Sequence, residues 1–571
     1  MAGKRKRLFW YCVAIFLVVF FPSNVVAQDL VFSPGETIQT ITYGKVKGIP
    51  GENGKSLAWL GIPYAKPPVG ELRWRLPQKP EAWNDVFDAT KYGNIGIQGV
   101  GENIQGSEDC LNLNVFRPNT KETALPVIMF IHGGNNQTGS NRSFNGYYLA
   151  ERANCVVVSI NYRLGLLGFN PLPALKTGNA LEDSGNYSLL DFASALDWIN
   201  ENIQAFGGDP KNITISGHSA GGRDVMALLI SPVFEGKFQK ALPLSGGMTT
   251  AETAKATKVV AGRLVPYVRQ DGVKPDRDSA FRWLQTSGKD VRDYLYGLPA
   301  GRVASAIGDA AIRMSVFPHL FTDGVVLPEK GFETDKFNHV PLLMLTSINE
   351  LSLFLMGDPY FAANVKNEKI LTDPEIKAEY KFAAKYGGLL YGLFNAEESA
   401  ERMFAKYKAP IYTCMINWGD DPNIVGEKMA GTYGSFHGVA IQFLTGEKTG
   451  PRELYPEIYE TPGAREMGET LIKYIANFIR TGNPNGDGLV TWDAWKSATE
   501  GNTSLVFDAD KEKAIIKMTD NRIIYENVIA DAEKDTSIPY EARFAIISNV
   551  INGRWFSTKW DEYFKNRNLW P

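Results

Sequence analysis

The sequence predicts an α/β protein: a large, mostly parallel central sheet with helices on both faces and further helical segments inserted between its strands. Two observations carry that expectation. Four short runs, ALPVIMFIHGG (124–134), NCVVVSINYRLG (154–165), NITISGHSAGG (212–222) and HVPLLMLTSINE (339–350), read as strands, and the first, second and fourth are apolar at successive positions, as strands covered on both faces are. Between the second and third lies SLLDFASALDWINENIQAF (188–206), whose Leu189, Leu190, Phe192, Ala193, Leu196, Ile199 and Ile203 recur at helical spacing before Gly207-Gly208 stops the pattern. A strand, helix, strand order gives parallel neighbours. In such sheets the reactive groups gather beyond the carboxyl ends of the strands.

The rest of the composition agrees with one large globular unit. Of 571 residues 44% are hydrophobic and 22% charged, which excludes disordered, collagenous and coiled-coil chains. A net charge of -3 offers no concentrated basic face, so nucleic acid is excluded as a partner. No repeat, low-complexity stretch or Pro/Gly/Ser-rich linker divides the chain.

Residues 1–27 are read as a leader. MAGKRKR supplies a basic start, LFWYCVAIFLVVFF an apolar run of 14 residues, and Val25 and Ala27 suit cleavage before Gln28. The run is shorter than the ~20 residues a membrane span needs. Removing the leader deletes Lys4, Arg5, Lys6 and Arg7 and no acid, which takes the formal charge from -3 to -7. The expectation is a secreted or periplasmic domain over 28–571 with no membrane span after cleavage. Cys110, Cys155 and Cys414 remain; being odd in number, at least one thiol stays free or pairs between chains. No Cys/His cluster suggests a metal, and no motif calls for a cofactor.

The third run carries the first chemical signal. Gly217-His218-Ser219-Ala220-Gly221 fits GxSxG between a strand and the helical DVMALLI. A sharp strand-to-helix turn lifts the Ser219 hydroxyl clear of the backbone, and side chains two residues away on either side would clash. The helix start adds amides that favour negative charge. His132-Gly133-Gly134 closes the first run and reads as a loop whose N–H groups face an acyl oxygen.

A serine nucleophile needs a base. The chain has five histidines, of which His132 and His218 belong to the two turns. His218, beside the nucleophile, is expected to project away from the base. His437, in the glycine-flanked GTYGSFHGVA, is the late-chain histidine and the candidate base; His319 and His339 read as structural. The acid should end a strand between Ser219 and His437, as Glu350 does after PLLMLTSIN, where it would hold the imidazole tautomer. Asp323 in FTDGVVLP is the rival.

These residues, with GIPYAKPPVGELRW (61–74), SEDCLNLNVF (107–116), INYRLGLLGF (160–169), ENIQAFGGDPKNITISGHSAGG (201–222), INE (348–350), GSFHG (434–438) and NFIRTGNPN (477–485), resemble the type-B carboxylesterase family, which includes the cholinesterases and is a branch of the α/β-hydrolase fold. The resemblance spans nearly all of 28–571. It implies a serine esterase with inserted helical segments around the active site, hydrolysing carboxylic esters through an acyl-serine intermediate. Its catalytic residues map to Ser219, Glu350 and His437, and its oxyanion-hole donors to the backbone N–H groups of Gly134, Asn135 and Ala220. The implied partner is a small-molecule ester.

Several positions depart from the family pattern. Asn135 and Asn136 stand where a third glycine and an aromatic are usual, which predicts a narrower, more polar pocket edge. His218 replaces an acid or amide, and Leu351 a glycine. Arg223-Asp224 replaces small residues and suggests an ion pair under the site. Cys110 keeps the place of a family disulfide cysteine, but no cysteine stands near Gly96, so that loop is expected to lack a staple. Choline esters are disfavoured because no gorge tryptophan can be placed; a small to medium ester is expected. Five Asn-x-Ser/Thr sequons (Asn136, Asn141, Asn186, Asn212, Asn502) fall partly in packed segments and are not read as glycosylation sites. The tail RWFSTKWDEYFKNRNLWP places Trp555, Phe556, Trp560, Tyr563 and Phe564 on one half of a helix, for packing against the body, with a homodimer contact or a membrane-surface face as alternatives. From another class, a non-catalytic cholinesterase-like binding or adhesion protein would have lost part of the Ser–Glu–His set. A lipase or thioesterase of the same fold is the rival among enzymes.

Overall fold

The computed structural model describes residues 32–496, 504–520, 522–567 and 569; the leader at 1–27 and Asn502 lie outside them. Eleven strands form the central sheet. In chain order its members are β3 (Ile49–Pro50), β4 (Ser56–Pro63), β6 (Asn112–Pro118), β7 (Leu125–Ile131), β8 (Val156–Ile160), β9 (Gly208–His218), β10 (Lys240–Leu244), β11 (Leu342–Ser347), β12 (Ile411–Ile416), β13 (Ser504–Ala509) and β14 (Ala514–Thr519). They lie side by side as β14-β13-β12-β11-β10-β9-β7-β8-β6-β4-β3. Every contact from β8 across to β13 is parallel, and the strands outside them pair antiparallel. A separate small sheet joins β1 (Ile38–Ile41), β2 (Gly44–Lys47) and β5 (Val86–Asp88).

The four runs of the sequence are β7, β8, β9 and β11, the centre of the parallel block. β7 shows why such a run reads as continuous. Its Val127, Met129 and Ile131 point into one core with Leu189, Phe192, Leu196 and Ile199 of helix Tyr187–Asn202. Its Ile128 and Phe130 point into another with Met467, Leu471, Ile475 and Phe478 of helix Pro462–Thr481. Both faces are dry, so alternation disappears.

A third core gathers Leu351, Tyr380 and Tyr391 with Trp555, Phe556 and Trp560 of the C-terminal segment. The tail is thus packed against the body, as expected. It is not one continuous helix. A π-helical turn (Ile546–Val550) leads to a bend at Gly553 (φ +65°), and helix begins again at Thr558–Tyr563. Tyr563 is left exposed. Among the described residues no helix is long and apolar enough to cross a membrane.

Cys110, Cys155 and Cys414 are all buried and free. The loop expected to lack a staple is closed by backbone hydrogen bonds, Ile97 N–H to Ser107 O (3.1 Å) and a reciprocal Gln98–Gln105 pair (2.9 Å). Asn136, Asn141 and Asn186 are buried, so these three sequons are inaccessible in the folded chain.

Candidate active site

Ser219 sits between β9 and helix Ala220–Leu228 at φ 59°, ψ -118°, a strained conformation for a residue with a side chain. Its own N–H bonds to Leu244 O of β10 (2.9 Å), which ties the turn to the neighbouring strand. The turn is also wedged against β7. A Cβ on Gly217 would lie 2.4 Å from Gly221 O, and one on Gly221 2.1 Å from Ile131 O, both backbone atoms that cannot move aside. The two glycines of the motif are therefore required by contact as well as by dihedral.

The candidate acid follows β11, and the candidate base lies in the loop between helices Glu427–Thr432 and Val439–Thr445. β11 ends at Ser347, and Glu350 follows, fully buried. One carboxylate oxygen, Oε2, pairs with His437 Nδ1. The other accepts from Ser245 Oγ (2.6 Å), Thr346 Oγ1 (2.9 Å) and the Ser347 N–H (2.8 Å). Burial pushes the Glu350 carboxyl up. The charge of His437 and the hydrogen bonds from His437, Ser245 and Ser347 outweigh that and hold it below the ordinary glutamate value. His437 Nε2 has no hydrogen-bond partner among the described residues, and His437 and Ser219 line the same cleft. Asp323, the rival acid, spends its carboxylate on the N–H groups of Val325, Val326 and Leu327 and on the Asn186 amide.

Gly134 (φ 100°) and Asn135 (φ 54°) occupy the left-handed region, one readily to glycine and tolerable to asparagine. Their N–H groups, and that of Ala220 at the helix start, have no acceptor among the described residues. Of the two asparagines expected at the pocket edge, Asn135 lines the cleft and donates from Nδ2 to Gln137 Oε1 (3.0 Å), whereas Asn136 does not. Asn136 is fully buried; its Nδ2 donates to Asp224 Oδ1 (2.9 Å) and its Oδ1 accepts from the Tyr162 hydroxyl (2.8 Å). Asn135 Oδ1 accepts from Arg223 Nη2 (2.8 Å) and Trp555 Nε1 (3.3 Å).

The expected Arg223–Asp224 ion pair is accordingly not made. Adjacent helix residues face different ways, and each side chain goes to its own asparagine. Burial pushes the Asp224 carboxyl up to about 7, against the Asn136 hydrogen bond and the Arg223 charge. Burial likewise lowers the Arg223 guanidinium, whose Nε and Nη1 have no partner among the described residues.

His218 also differs from expectation. Instead of projecting away, its ring lies 4.6 Å from that of His437. Burial and the neighbouring His437 charge hold it well below the ordinary histidine value, so it stays neutral at pH 7. His132 packs on Tyr162, with burial lowering it to about 4. Tyr391 is a residue that sequence reading missed. Its ring stacks on His437 (5.4 Å, 19°) and its hydroxyl interacts with Ser219. It lies in the apolar half of helix Pro374–Asn395, where nothing local distinguishes it from a core tyrosine.

The cleft over Ser219 holds about 540 Å³. Ile97, Val100, Leu164, Ile312, Leu353 and Phe354 give it apolar walls. Among the described lining residues there is no tryptophan and no lysine or arginine; Asp309 stands exposed at its edge and Asp358 is paired with Arg554 (2.9 Å).

The comparisons with known proteins point the same way. Residues 35–409 match the model of the carboxylesterase family. The para-nitrobenzyl esterase of Bacillus subtilis (strain 168) is 33% identical over 507 residues, covering 83% of this chain and 95% of its own. The liver carboxylesterase of Sus scrofa is 31% identical over 512 residues, covering 80% and 86%. Among solved structures, the Geobacillus stearothermophilus carboxylesterase EST55 superposes with a TM-score of 0.64 at 26% identity, over 87% of this chain and 99% of that one. A PNB esterase superposes at 0.61 and 30%, over 84% and 97%.

Proposed function

We propose, for a chain that belongs to the carboxylesterase family and is a carboxylic ester hydrolase, that Ser219, His437 and Glu350 carry out the hydrolysis through an acyl-serine intermediate. The observation that carries this reading is the buried Glu350–His437 pair, whose imidazole lines one cleft with Ser219. The Glu350 carboxylate keeps the His437 proton on Nδ1, which leaves Nε2 with a lone pair to accept the Ser219 hydroxyl proton. Ser219 Oγ then bonds to the acyl carbon, and the carbonyl π electrons move to oxygen. The N–H groups of Gly134, Asn135 and Ala220 are the donors for that oxyanion. Collapse expels the alkoxide, which takes the proton from His437. Water repeats the sequence, releasing the acid and restoring Ser219.

The walls of the cleft support a neutral ester of small to medium size. Asn136 is turned inward, and the polar side chains that line the cleft are those of Asn135, Gln137, Thr138 and Asp309. The leader-like residues 1–27 support export and cleavage near Ala27, with 28–571 as a single domain.

The test is release of p-nitrophenol from p-nitrophenyl butyrate by the full chain beside Ser219→Ala. Turnover by the parent, lost in the variant, is expected. An equally active Ser219→Ala would overturn the acyl-serine assignment.

A further inference from the structure

The C-terminal segment passes directly beneath the cleft. After Gly553 it delivers three consecutive side chains to the site. Arg554, fully buried, donates to Asp358 Oδ2 (2.9 Å) and Ala311 O (2.9 Å), both on residues of the cleft wall. Trp555 donates from Nε1 to Asn135 Oδ1, and the Arg223 guanidinium lies 4.7 Å over its ring while bonding to the same oxygen. Phe556 stacks on Tyr391 (4.5 Å, 18°), which in turn stacks on His437.

Resting on the acyl-serine reading above, we propose that Trp555 and Phe556 are positioning residues of the reaction, Trp555 for the oxyanion loop through Asn135 and Phe556 for the base through Tyr391. An oxyanion donor such as the Asn135 N–H works only when it is held within hydrogen-bond distance of where charge develops. The flanking peptide plane must therefore be fixed. Here two donors from distant elements, the helix after Ser219 and the tail, hold the Asn135 side chain and with it the strained backbone.

The arrangement is also costly. Arg223 is a buried cation with two nitrogens unpartnered among the described residues, an expensive way to fill space that an apolar side chain would fill freely. What it retains is one strong bond to Asn135 and one aromatic face to lie on, and Trp555 supplies that face. On the other side of the site, the stack Phe556–Tyr391–His437 covers one face of the imidazole that pairs with Glu350. A 1 Å displacement of a reacting group costs on the order of a hundredfold in rate, so the two contacts are placed where small shifts matter.

The test uses the full chain and the p-nitrophenyl butyrate assay, with a trifluoromethyl ketone as transition-state analogue and thermal melting as the control. Trp555→Phe keeps a ring under Arg223 and removes the N–H together with part of the indole's buried volume, which the thermal melt reads separately. It is expected to lower kcat about tenfold with KM within about twofold, and to weaken the ketone by the same factor. Phe556→Leu is expected to lower kcat and shift the basic-group limb of the pH–rate profile. Asn135→Gly removes the acceptor and should reproduce the loss, after which Trp555→Phe costs nothing more. Should the tail variants fail to fold, Asn135→Gly decides alone: parental kcat and ketone affinity would overturn the proposal. It is equally overturned if Trp555→Phe and Phe556→Leu lower only the melting temperature. Failure of Ser219→Ala to abolish turnover would instead strike the acyl-serine reading and is read separately.

Discussion

Replacing Glu350 by glutamine tests the proposed acid, because its two oxygens do different jobs. Oε1 receives three donors, and the Ser347 backbone N–H among them cannot reverse its direction as the Ser245 and Thr346 hydroxyls can. In Glu350→Gln that seat must therefore be taken by the amide oxygen. The amide NH₂ is then forced towards His437 Nδ1, where Oε2 stood. Two donors cannot face each other, so His437 moves its proton to Nε2 and loses the lone pair that accepts the Ser219 proton. The expected loss is about 10⁴-fold in kcat, about 5.5 kcal/mol in the barrier, the magnitude such a tautomer error has in serine hydrolases. The fold should survive, since all three Oε1 donors stay satisfied. Steady-state and stopped-flow p-nitrophenol release, beside thermal melting, measures both quantities. A Glu350→Gln chain that melts like the parent and keeps kcat within about tenfold would refute the tautomer assignment.

Two further perturbations test the frame around the site. Gly221→Ala puts a Cβ 2.1 Å from Ile131 O and 2.9 Å from His132 O, all backbone; it should cost about 3 kcal/mol in a denaturant titration and abolish turnover. A variant as stable and active as the parent would show that β7 does not wedge the turn. Asp224→Asn tests the buried carboxyl. Its folded value of about 7 lies above the unfolded 3.8, so the folded chain holds an extra proton in that interval. That contribution is complete below about pH 4 and is lost as pH rises through about 7, up to about 4 kcal/mol in all. Melting temperature measured across this range should fall with pH more steeply in the parent than in Asp224→Asn; parallel profiles would sink the assignment.

The parts legible in the sequence are those fixed by short-range constraint. Gly217 and Gly221 flank Ser219 because backbone atoms of the same turn and of β7 leave no volume, and that constraint is written within five residues. The central strands were legible because burial on both faces removes alternation. Glu350 and His437 were singled out from a strand end and a glycine-flanked loop, and the fold brings the two side chains together. What stayed hidden depends on contacts between distant segments. Trp555 meets Asn135 across 420 positions, and no local pattern in the tail distinguishes a residue under the cleft from one that merely packs. His218 misled for a related reason: which way the side chain of a strand's last residue swings is decided by the loop that carries His437.

The loop between Gly96 and Ser107 has a consequence for how the chain can be made. Its closure rests on amide–carbonyl pairs, and Cys110 beside it is buried against Tyr162 O, with burial pushing its thiol up. Cys155 and Cys414 are equally sequestered. Maturation of the described chain therefore asks nothing of an oxidase or a disulfide isomerase, and reductant finds no covalent bond to open. A reducing cytosol leaves these thiols as the fold needs them, whereas an oxidising compartment exposes them to mispairing until folding buries them.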